Sequence, residues 1–247
     1  MYTAIIMAGG RSERMRSTTG PTHKALMSVL SVPMMERNLL ALFAQGFRDV
    51  IVAANSQEHD ILDYVNGRAT RLADGCGASL RCCIERYPLG TIGAAGTVQC
   101  DSDPLLVVNV DNLTTLDLRA FVDHHVKEQA ALSIATHVEL FPIPFGEVLV
   151  RDGLVAEYRE KPTISIRLSS GTYVLSRGAR ACIAKDCRMD VPGLFALLRE
   201  RGERIVSYGH SAPWIDVNDA ASLERAEKLL GQHSSEFGRL LSGTGPV

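Results

Sequence analysis

The segment from residue 4 to residue 15 places the strongest constraint on the fold, because a short apolar run leads directly into a pair of glycines. Residues 4–7 are apolar, and residues 8–15 read Ala-Gly-Gly-Arg-Ser-Glu-Arg-Met. Glycine lets backbone N–H groups approach an anion closely, and Arg11, Arg14 and the later Lys24 bring positive charge to the same region. The pattern predicts a buried strand of an α/β sheet, followed by a loop that holds phosphate groups.

Two well-known phosphate-binding motifs do not fit this loop. A Walker A loop has the frame G-x-x-x-x-G-K-S/T, and no Gly-Lys pair follows Gly9 or Gly10. The dinucleotide fingerprint requires the frame G-x-G-x-x-G, whereas Gly10 is followed by Arg11 and Ser12. A P-loop is therefore excluded, and a Rossmann oxidoreductase is disfavoured. Because many glycine pairs are only tight turns, the loop alone leaves both a functional and a structural role open.

Charge and composition favour a small-molecule partner. The 247 residues carry 26 Lys and Arg against 28 Asp and Glu, so we expect neither a nucleic acid nor a membrane surface held by charge. No apolar run reaches membrane-spanning length and the start lacks a basic leader, which predicts a cytoplasmic protein. The composition leaves a homo-oligomer open.

Cysteine and histidine spacing does not indicate a metal site. The 6 cysteines form neither a C-x-x-C pair nor a zinc spacing, and we expect them to be reduced, apolar thiols. His124 and His125 are adjacent, so on a helix they point about 100° apart and do not easily hold one metal together. The pattern favours a solvated helix here.

Periodicity predicts one α/β domain over residues 1–231, divided into halves at 1–130 and 131–231, with a flexible tail at 232–247. In the first half, apolar runs and glycine stops predict strands at 2–7, 50–54, 69–73 and 105–110 and helices at 33–43, 57–65, 79–86 and 116–129. In the second half, the pattern predicts strands at 132–136, 147–150, 154–158, 172–175 and 204–208 and helices at 192–201 and 220–230. The expected fold is a mixed, mostly parallel sheet with a small antiparallel region.

Three short segments outside the first loop carry residues that suit a binding site. Residues 88–96 contain three glycines, which predicts either two closely packed elements or a ligand against the backbone. Asp111 follows the strand at 105–110, at the sheet edge where ligands bind; alternatively it caps the next helix, a role open also to Asp117. Glu160-Lys161-Pro162 presents an acid and a base on a proline turn, a pattern also typical of ordinary surface turns.

Several short motifs follow one another in a fixed order over nearly the whole chain. They are Ala-Gly-Gly-x-x-x-Arg-Met at 8–15, His-Lys-Ala-Leu at 23–26, Leu-Gly-Thr-Ile-Gly-Ala at 89–94, Asn-Val-Asp at 109–111, Glu-Lys-Pro at 160–162, Ser-Ser-Gly-Thr-Tyr at 169–173 and Trp-Ile-Asp at 214–216. In this order the chain resembles the sugar-phosphate nucleotidyltransferase family, and especially its short mannose or heptose 1-phosphate guanylyltransferases. Members of this family make a sugar nucleotide from a nucleoside triphosphate and a sugar 1-phosphate.

The resemblance implies a Rossmann-like, three-layer (GT-A-like) α/β fold, with a nucleotide-binding first half and a sugar-phosphate-binding second half. It implies catalytic roles for Arg14, Lys24 and Lys161, and a Mg²⁺ cofactor held by Asp111 and Asp216. The implied nucleotide contacts are Ala8, Gly9, Gly10, Arg11, Ser12, Gly90, Thr91 and Asn109, and the implied sugar-phosphate contacts are Gly146, Glu160, Lys161 and Gly171.

The implied reaction is in-line attack of a sugar 1-phosphate oxygen on the α-phosphorus, with pyrophosphate leaving. A phosphate monoester is largely ionised near neutral pH, so no general base is required. Four positions depart from the family pattern: Ser12, Val110 and Asn218 replace glycine, and His23 replaces proline. They leave the nucleotide and the sugar open. Two alternatives also stay open, a cytidylyltransferase acting on a non-sugar phosphate or phosphonate and a regulatory nucleotide-binding relative without turnover.

Overall fold

A seven-stranded sheet forms the centre of the computed structural model, which describes residues 2–10 and 22–241. Its strands run in the order β12-β8-β11-β6-β1-β4-β5, and β11 alone is antiparallel to its neighbours in this sheet. The strands of the described residues are β1 Thr3–Ala8, β2 Ser28–Val29, β3 Val32–Pro33, β4 Asp49–Asn55, β5 Ser79–Glu85, β6 Leu105–Asn109, β7 Asn112–Thr114, β8 Leu132–Pro142, β9 Glu147–Arg151, β10 Leu154–Arg159, β11 Thr163–Leu175, β12 Ile205–Gly209 and β13 Trp214–Asp216. The expected mixed, mostly parallel sheet is confirmed.

Helices connect the strands and cover the sheet. They are α1 Met34–Ala44, α2 His59–Tyr64, α3 Thr70–Gly75, α4 Ala94–Thr97, α5 Leu118–Lys127, α6 Arg177–Ala181, α7 Val191–Glu200, α8 Ala220–Gln232 and α9 Ser234–Leu241. A 3₁₀ turn at Lys24–Leu26 follows the first loop, and a π turn at Val65–Ala69 joins α2 to α3. Within the described ranges, no helix combines the length and the apolar character needed to cross a membrane.

Strand β1 lies inside the sheet, and its side chains enter two different cores. Ala4, Ile6 and Ala8 belong to one buried cluster, whereas Ile5 and Met7 belong to another. Successive side chains of a strand point to opposite faces, so an all-apolar strand must be covered on both sides. The parallel neighbours β4 and β6 flank β1 in register, and the carboxyl ends of all three strands therefore meet at one edge. Ligands of open α/β sheets bind at this edge.

Two elements of the first half differ from the sequence prediction. The segment 69–73 belongs to a helix and not a strand, because the π turn carries the helix past Gly67 into α3. The segment 79–86 forms strand β5 and not a helix, and β5 pairs with β4 alone as the edge of the sheet. An edge strand is only partly covered, so its side chains need not be uniformly apolar. Its mixed composition therefore resembled an amphipathic helix.

The antiparallel region is larger than predicted. Strands β8 and β11 pair over most of their length and extend beyond the sheet, with an irregularity between Ser169 and Tyr173. The β9–β10 hairpin turns at Asp152 and Gly153, both with positive φ, as the Arg-Asp-Gly sequence predicts. This region carries the Glu160-Lys161-Pro162 turn into β11.

The helix ends place Asp117, and not Asp111, as the cap of its helix, and they correct two other expectations. Asp117 caps α5 and Asp219 caps α8. The tail expected to be flexible from residue 232 forms α9 over Ser234–Leu241, and its Phe237 is buried in a cluster with α8 residues. His125 is buried and not solvated: its Nδ1 lies 2.8 Å from Ser133 Oγ, and burial lowers its pKa to about 4.

Candidate active site

A cavity of about 270 Å³ lies at the carboxyl ends of β1 and β6. This position is the one at which open α/β sheets bind ligands. Eight of the residues selected from the sequence line it: Ala8, Gly9, Gly10, Lys24, Gly90, Thr91, Asn109 and Asp111. The fold therefore brings together residues that are up to 103 positions apart in the chain (8 to 111).

Gly9 packs against a buried carboxylate that the sequence did not reveal. A Cβ added at Gly9 would collide with the Glu85 carboxylate, so a larger residue here would require that side chain to move. Glu85 ends β5 and is 2% exposed; its Oε2 accepts a hydrogen bond of 3.1 Å from the Leu89 N–H. Its Oε1 is buried and has no hydrogen-bond partner in the described part of the chain. Burial raises the pKa of this carboxyl group, and the Leu89 N–H opposes part of that rise.

The segment 88–96 packs closely against a neighbouring element, as one of the two sequence interpretations predicted, and it also borders the cavity. Gly93 and Gly96 allow close packing, since an added Cβ would lie 2.7 Å from Cys187 O and 2.5 Å from Ile183 O respectively. Gly90 borders the cavity with φ of +82°, a conformation that favours glycine.

Arg188 and Asp190 form a second part of the cavity wall that sequence reasoning missed. Asp190 Oδ1 accepts a hydrogen bond of 2.9 Å from the Thr91 N–H, and Arg188 Nη2 lies 3.0 Å from Asp190 Oδ2. The Thr91 N–H holds the pKa of Asp190 below its usual range, and Arg188 adds to this effect. The only sequence signal was the position of Asp190 just before the proline-containing start of α7.

Lys24 is presented by a tight turn that His23 stabilises. His23 Nδ1 accepts a hydrogen bond from the Ala25 N–H, and its Nε2 lies 2.7 Å from Gly10 O. Because Nδ1 is an acceptor, Nε2 carries the proton and donates to Gly10 O. The residue that departs from the family proline is fully buried and joins the glycine loop to the lysine turn.

Two short paired strands place the two candidate metal-binding residues, Asp111 and Asp216, on neighbouring backbone segments. Strand β7 pairs with β13, so that Asp216 lies opposite Asn112, and the Val217 N–H donates to Asp111 O at 2.9 Å. Lys24 Nζ lies 2.5 Å from Asp111 Oδ2 and 3.1 Å from Asn218 Oδ1. Asp111 therefore forms an ion pair with Lys24. The residue that caps α5 is Asp117 and not Asp111.

The donor chemistry of this pair fits a magnesium ion. Among the described residues, no group of three or more His, Cys, Asp or Glu side chains is arranged to hold a metal by itself. Mg²⁺ typically binds one or two carboxylates and completes its octahedral shell with water and substrate phosphate oxygens. Asp111 lines the cavity, Asp216 ends the neighbouring strand β13, and the Lys24 ammonium lies at Asp111.

The predicted sugar-phosphate-binding residues lie in two separate regions of the structure. Gly171 has φ of +66°, and an added Cβ would collide with the Asn112 amide, so this glycine packs directly against the strand after Asp111. The Tyr158 hydroxyl donates to Glu160 Oε2 at 3.1 Å and lies where a Cβ at Gly146 would point.

Lys161 follows Glu160 on the antiparallel extension, and the cavity lining within the described residues includes neither of them, nor Gly146. The backbone of Lys161 has φ of +44°, which is rare for a residue with a side chain and rarer still before proline. Such strain is often found at binding sites. Three further residues, Arg11, Ser12 and Arg14, were selected from the sequence and lie outside the described residues.

Comparisons with known proteins agree with this architecture. The family model for nucleotidyl transferases matches residues 3–233. The chain is 24% identical to D-glycero-alpha-D-manno-heptose 1-phosphate guanylyltransferase of Aneurinibacillus thermoaerophilus over 93% of the chain and 98% of that protein. It is 27% identical to mannose-1-phosphate guanyltransferase of Candida albicans, over 86% of the chain and 60% of that longer protein.

Solved structures show the same fold. HddC from Yersinia pseudotuberculosis, determined alone and complexed with GMP-PN, matches with a TM-score of 0.70 and 21% identity, covering 92% of this chain and 99% of HddC. The match of the family model over nearly the whole length shows that the chain belongs to the nucleotidyl transferase family.

Proposed function

We propose that the protein transfers a nucleoside monophosphate from a nucleoside triphosphate to a sugar 1-phosphate, which yields a sugar nucleotide and pyrophosphate. One observation carries this proposal: the Lys24 ammonium is bound to the Asp111 carboxylate at a cavity whose wall includes the backbone of Gly9, Gly10 and Gly90. A small-residue wall suits the flat base and ribose, and the adjacent charges suit a triphosphate. The names of the curated relatives support the same reaction class.

The nucleotide is a guanosine phosphate in this proposal, because of Glu85. Guanine presents two neighbouring donors, N1–H and the 2-amino group, whereas a carboxylate offers only acceptors. Glu85 Oε1 is a buried acceptor without a partner among the described residues, and it packs against Gly9, whose other neighbours line the cavity with it. A buried acceptor of this kind is costly unless a ligand donates to it. Both curated relatives named above are guanylyltransferases, which supports this choice.

The chemical step needs positioning and charge more than acid–base catalysis. An oxygen of the ionised sugar 1-phosphate forms a bond to the α-phosphorus while the bond between that phosphorus and the bridging oxygen to pyrophosphate breaks. Lys24 and Arg14 neutralise charge that moves toward pyrophosphate, and Lys161 holds the incoming phosphate. A Mg²⁺ ion at Asp111 and Asp216 would add positive charge at the phosphates.

The acceptor is a sugar 1-phosphate of the mannose or heptose type in this proposal, as the names of the relatives suggest. Glu160 and Tyr158 are hydrogen-bonded to each other on the antiparallel extension, next to Gly146. Carboxylate and phenol groups in this arrangement suit the hydroxyls of a sugar ring.

The two alternative functions are weaker. A cytidylyltransferase requires a site for cytosine, whose N3 is an acceptor and would face the Glu85 carboxylate unfavourably. A relative without turnover has no need to keep Lys24, Asp111, Lys161 and Asp216 together, yet all four are present.

A pyrophosphate-release assay tests the proposal. The protein is incubated with Mg²⁺, each common nucleoside triphosphate and a panel that includes mannose and heptose 1-phosphates. We expect release with GTP and at least one of these sugars. Nucleotide binding without release for every pair would contradict the proposed reaction, and release with CTP in preference to GTP would contradict the assignment of the base.

A further inference from the structure

Asn218 occupies a position at which the family pattern often has glycine, and the fold holds its backbone rigidly. It lies between the end of β13 and Asp219, the cap of α8. Its N–H donates to Ser222 Oγ at 2.9 Å, and Ser222 is buried within the reciprocal capping interaction with Asp219. The start of α8 therefore fixes the point from which the Asn218 side chain projects.

The Asn218 amide connects a cation to an anion. Its Oδ1 accepts a hydrogen bond of 3.1 Å from Lys24 Nζ, and its Nδ2 donates one of 2.5 Å to Asp216 Oδ2. A primary amide has an acceptor at one end and donors at the other, so it can satisfy an ammonium and a carboxylate at the same time. Glycine offers neither group, and aspartate offers acceptors only.

This amide completes a continuous path between the two candidate metal-binding carboxylates. The path runs from Asp111 to Lys24, from Lys24 to Asn218, and from Asn218 to Asp216. His23 supports the lysine end of the path, since it joins the Lys24 turn to Gly10. Two departures from the family pattern, His23 and Asn218, thus act on the same lysine.

We propose that Asn218 is a positioning residue for nucleotidyl transfer, whose amide sets the Lys24 ammonium and the Asp216 carboxylate relative to each other before the metal and the triphosphate bind. This inference rests on the proposed function. The amide holds the two charged groups in place before the substrate binds. Fewer groups therefore have to be reoriented when the transition state forms. Lys24 and Asp216 would contact the reacting groups, whereas Asn218 acts through them.

Two substitutions separate this role from a general effect on folding. Asn218→Gly removes the link, and Asn218→Asp keeps the shape but places an additional acceptor opposite Asp216. Asn66→Asp, at an exposed position on the π turn, is the control for the added charge. For each variant we would measure Mn²⁺ affinity without nucleotide by electron paramagnetic resonance, steady-state kinetics and thermal unfolding.

We expect Asn218→Asp to bind Mn²⁺ at least threefold more tightly than wild type, because the variant adds a third carboxylate next to Asp216. We expect both Asn218 variants to lose at least tenfold in kcat, with KM for the sugar 1-phosphate within twofold, while Asn66→Asp behaves as wild type. Unchanged Mn²⁺ affinity together with wild-type kcat would overturn the inference. Unchanged Mn²⁺ affinity with a fall in kcat that follows thermal stability would also overturn it, in favour of a structural role.

The design distinguishes this inference from the proposed function. If the wild-type protein releases pyrophosphate and the Asn218 variants match it, the positioning role fails while the reaction stands. If the wild-type protein releases no pyrophosphate with any pair, the reaction fails, and the Mn²⁺ titration alone then decides whether Asn218 controls the charged groups.

Discussion

Replacing Glu85 with glutamine turns one carboxylate oxygen at the end of β5 into an amide nitrogen. This change tests how the protein selects the base of the nucleotide. The Leu89 N–H donates to Glu85 Oε2, so this position requires an acceptor in any variant. In Glu85→Gln the amide oxygen will therefore occupy the Oε2 position, and the amide nitrogen will occupy the position of Oε1. The amide N–H donor then replaces Oε1, the acceptor that has no hydrogen-bond partner among the described residues.

The expected magnitude follows from the loss of one hydrogen bond to a charged group. Such a bond contributes about 1.5–3 kcal/mol, which corresponds to roughly 10- to 150-fold in kcat/KM. We expect GTP to lose this much or more, because a donor of guanine then faces a donor of glutamine. UTP should improve, since uracil presents a carbonyl acceptor beside its N3–H and can pair with both ends of the amide.

The assay is pyrophosphate release with GTP and UTP at a saturating concentration of the best sugar 1-phosphate. Glu36→Gln is the matched control, because Glu36 is also a buried carboxylate but is bonded to Tyr64 and Arg68 outside the cavity. We expect this control to lose stability and to keep the wild-type base preference. If Glu85→Gln retains the wild-type ratio of kcat/KM for GTP to that for UTP, the reasoning about the base is refuted.

Three further predictions concern the metal, the acceptor and pH. Asp111→Asn and Asp216→Asn should each lower Mg²⁺-dependent kcat by on the order of 10²- to 10³-fold with circular dichroism unchanged, and near-normal kcat in either variant would remove that residue from the metal site. Lys161→Ala should raise KM for the sugar 1-phosphate about 10-fold or more, through loss of a charged contact; an effect confined to KM for GTP would contradict its role. His125 has a folded-state pKa of about 4 against an ordinary value of 6.5, so its stabilisation is complete above pH 6.5 and decreases as the pH falls toward 4, by about 3 kcal/mol in total. Urea unfolding from pH 7.5 to pH 4 should show this loss in wild type but not in His125→Gln, and the same slope in both proteins would contradict it.

The sequence predicted an element correctly where its residue pattern is compatible with only one position in the fold. Strand β1 was predicted at 2–7 and is found at Thr3–Ala8, because an all-apolar strand beside glycine has to lie inside the sheet. Strand β5 was mistaken for a helix, because its environment at the edge of the sheet depends on which strand pairs with it. Pairing between distant segments is not encoded in local periodicity.

In the candidate active site too, local motifs were readable from the sequence, whereas contacts between distant segments were not. The resemblance to the family implied eight residues that line the cavity, and for the glycines and the lysine among them the backbone and charge requirements of a phosphate ligand gave an independent reason. Glu85 was missed because an acid near the end of a predicted helix carries no signal. Only the structure shows that its carboxylate packs against Gly9, a residue that lines the cavity. Asn218 was recognised as a departure from the family pattern, but its link between Lys24 and Asp216 depends on the β7–β13 pairing.

The fate of the α-phosphorus of GTP tests the central claim most directly. GTP labelled with ³²P at the α-phosphate is incubated with Mg²⁺ and the best sugar 1-phosphate, and the products are separated by chromatography. We predict that the label enters a sugar nucleotide in a one-to-one ratio with released pyrophosphate, and that Asp111→Asn slows the formation of both products to the same extent. Label that stays in GTP, or that appears only as GMP or GDP, would contradict nucleotidyl transfer to a sugar 1-phosphate.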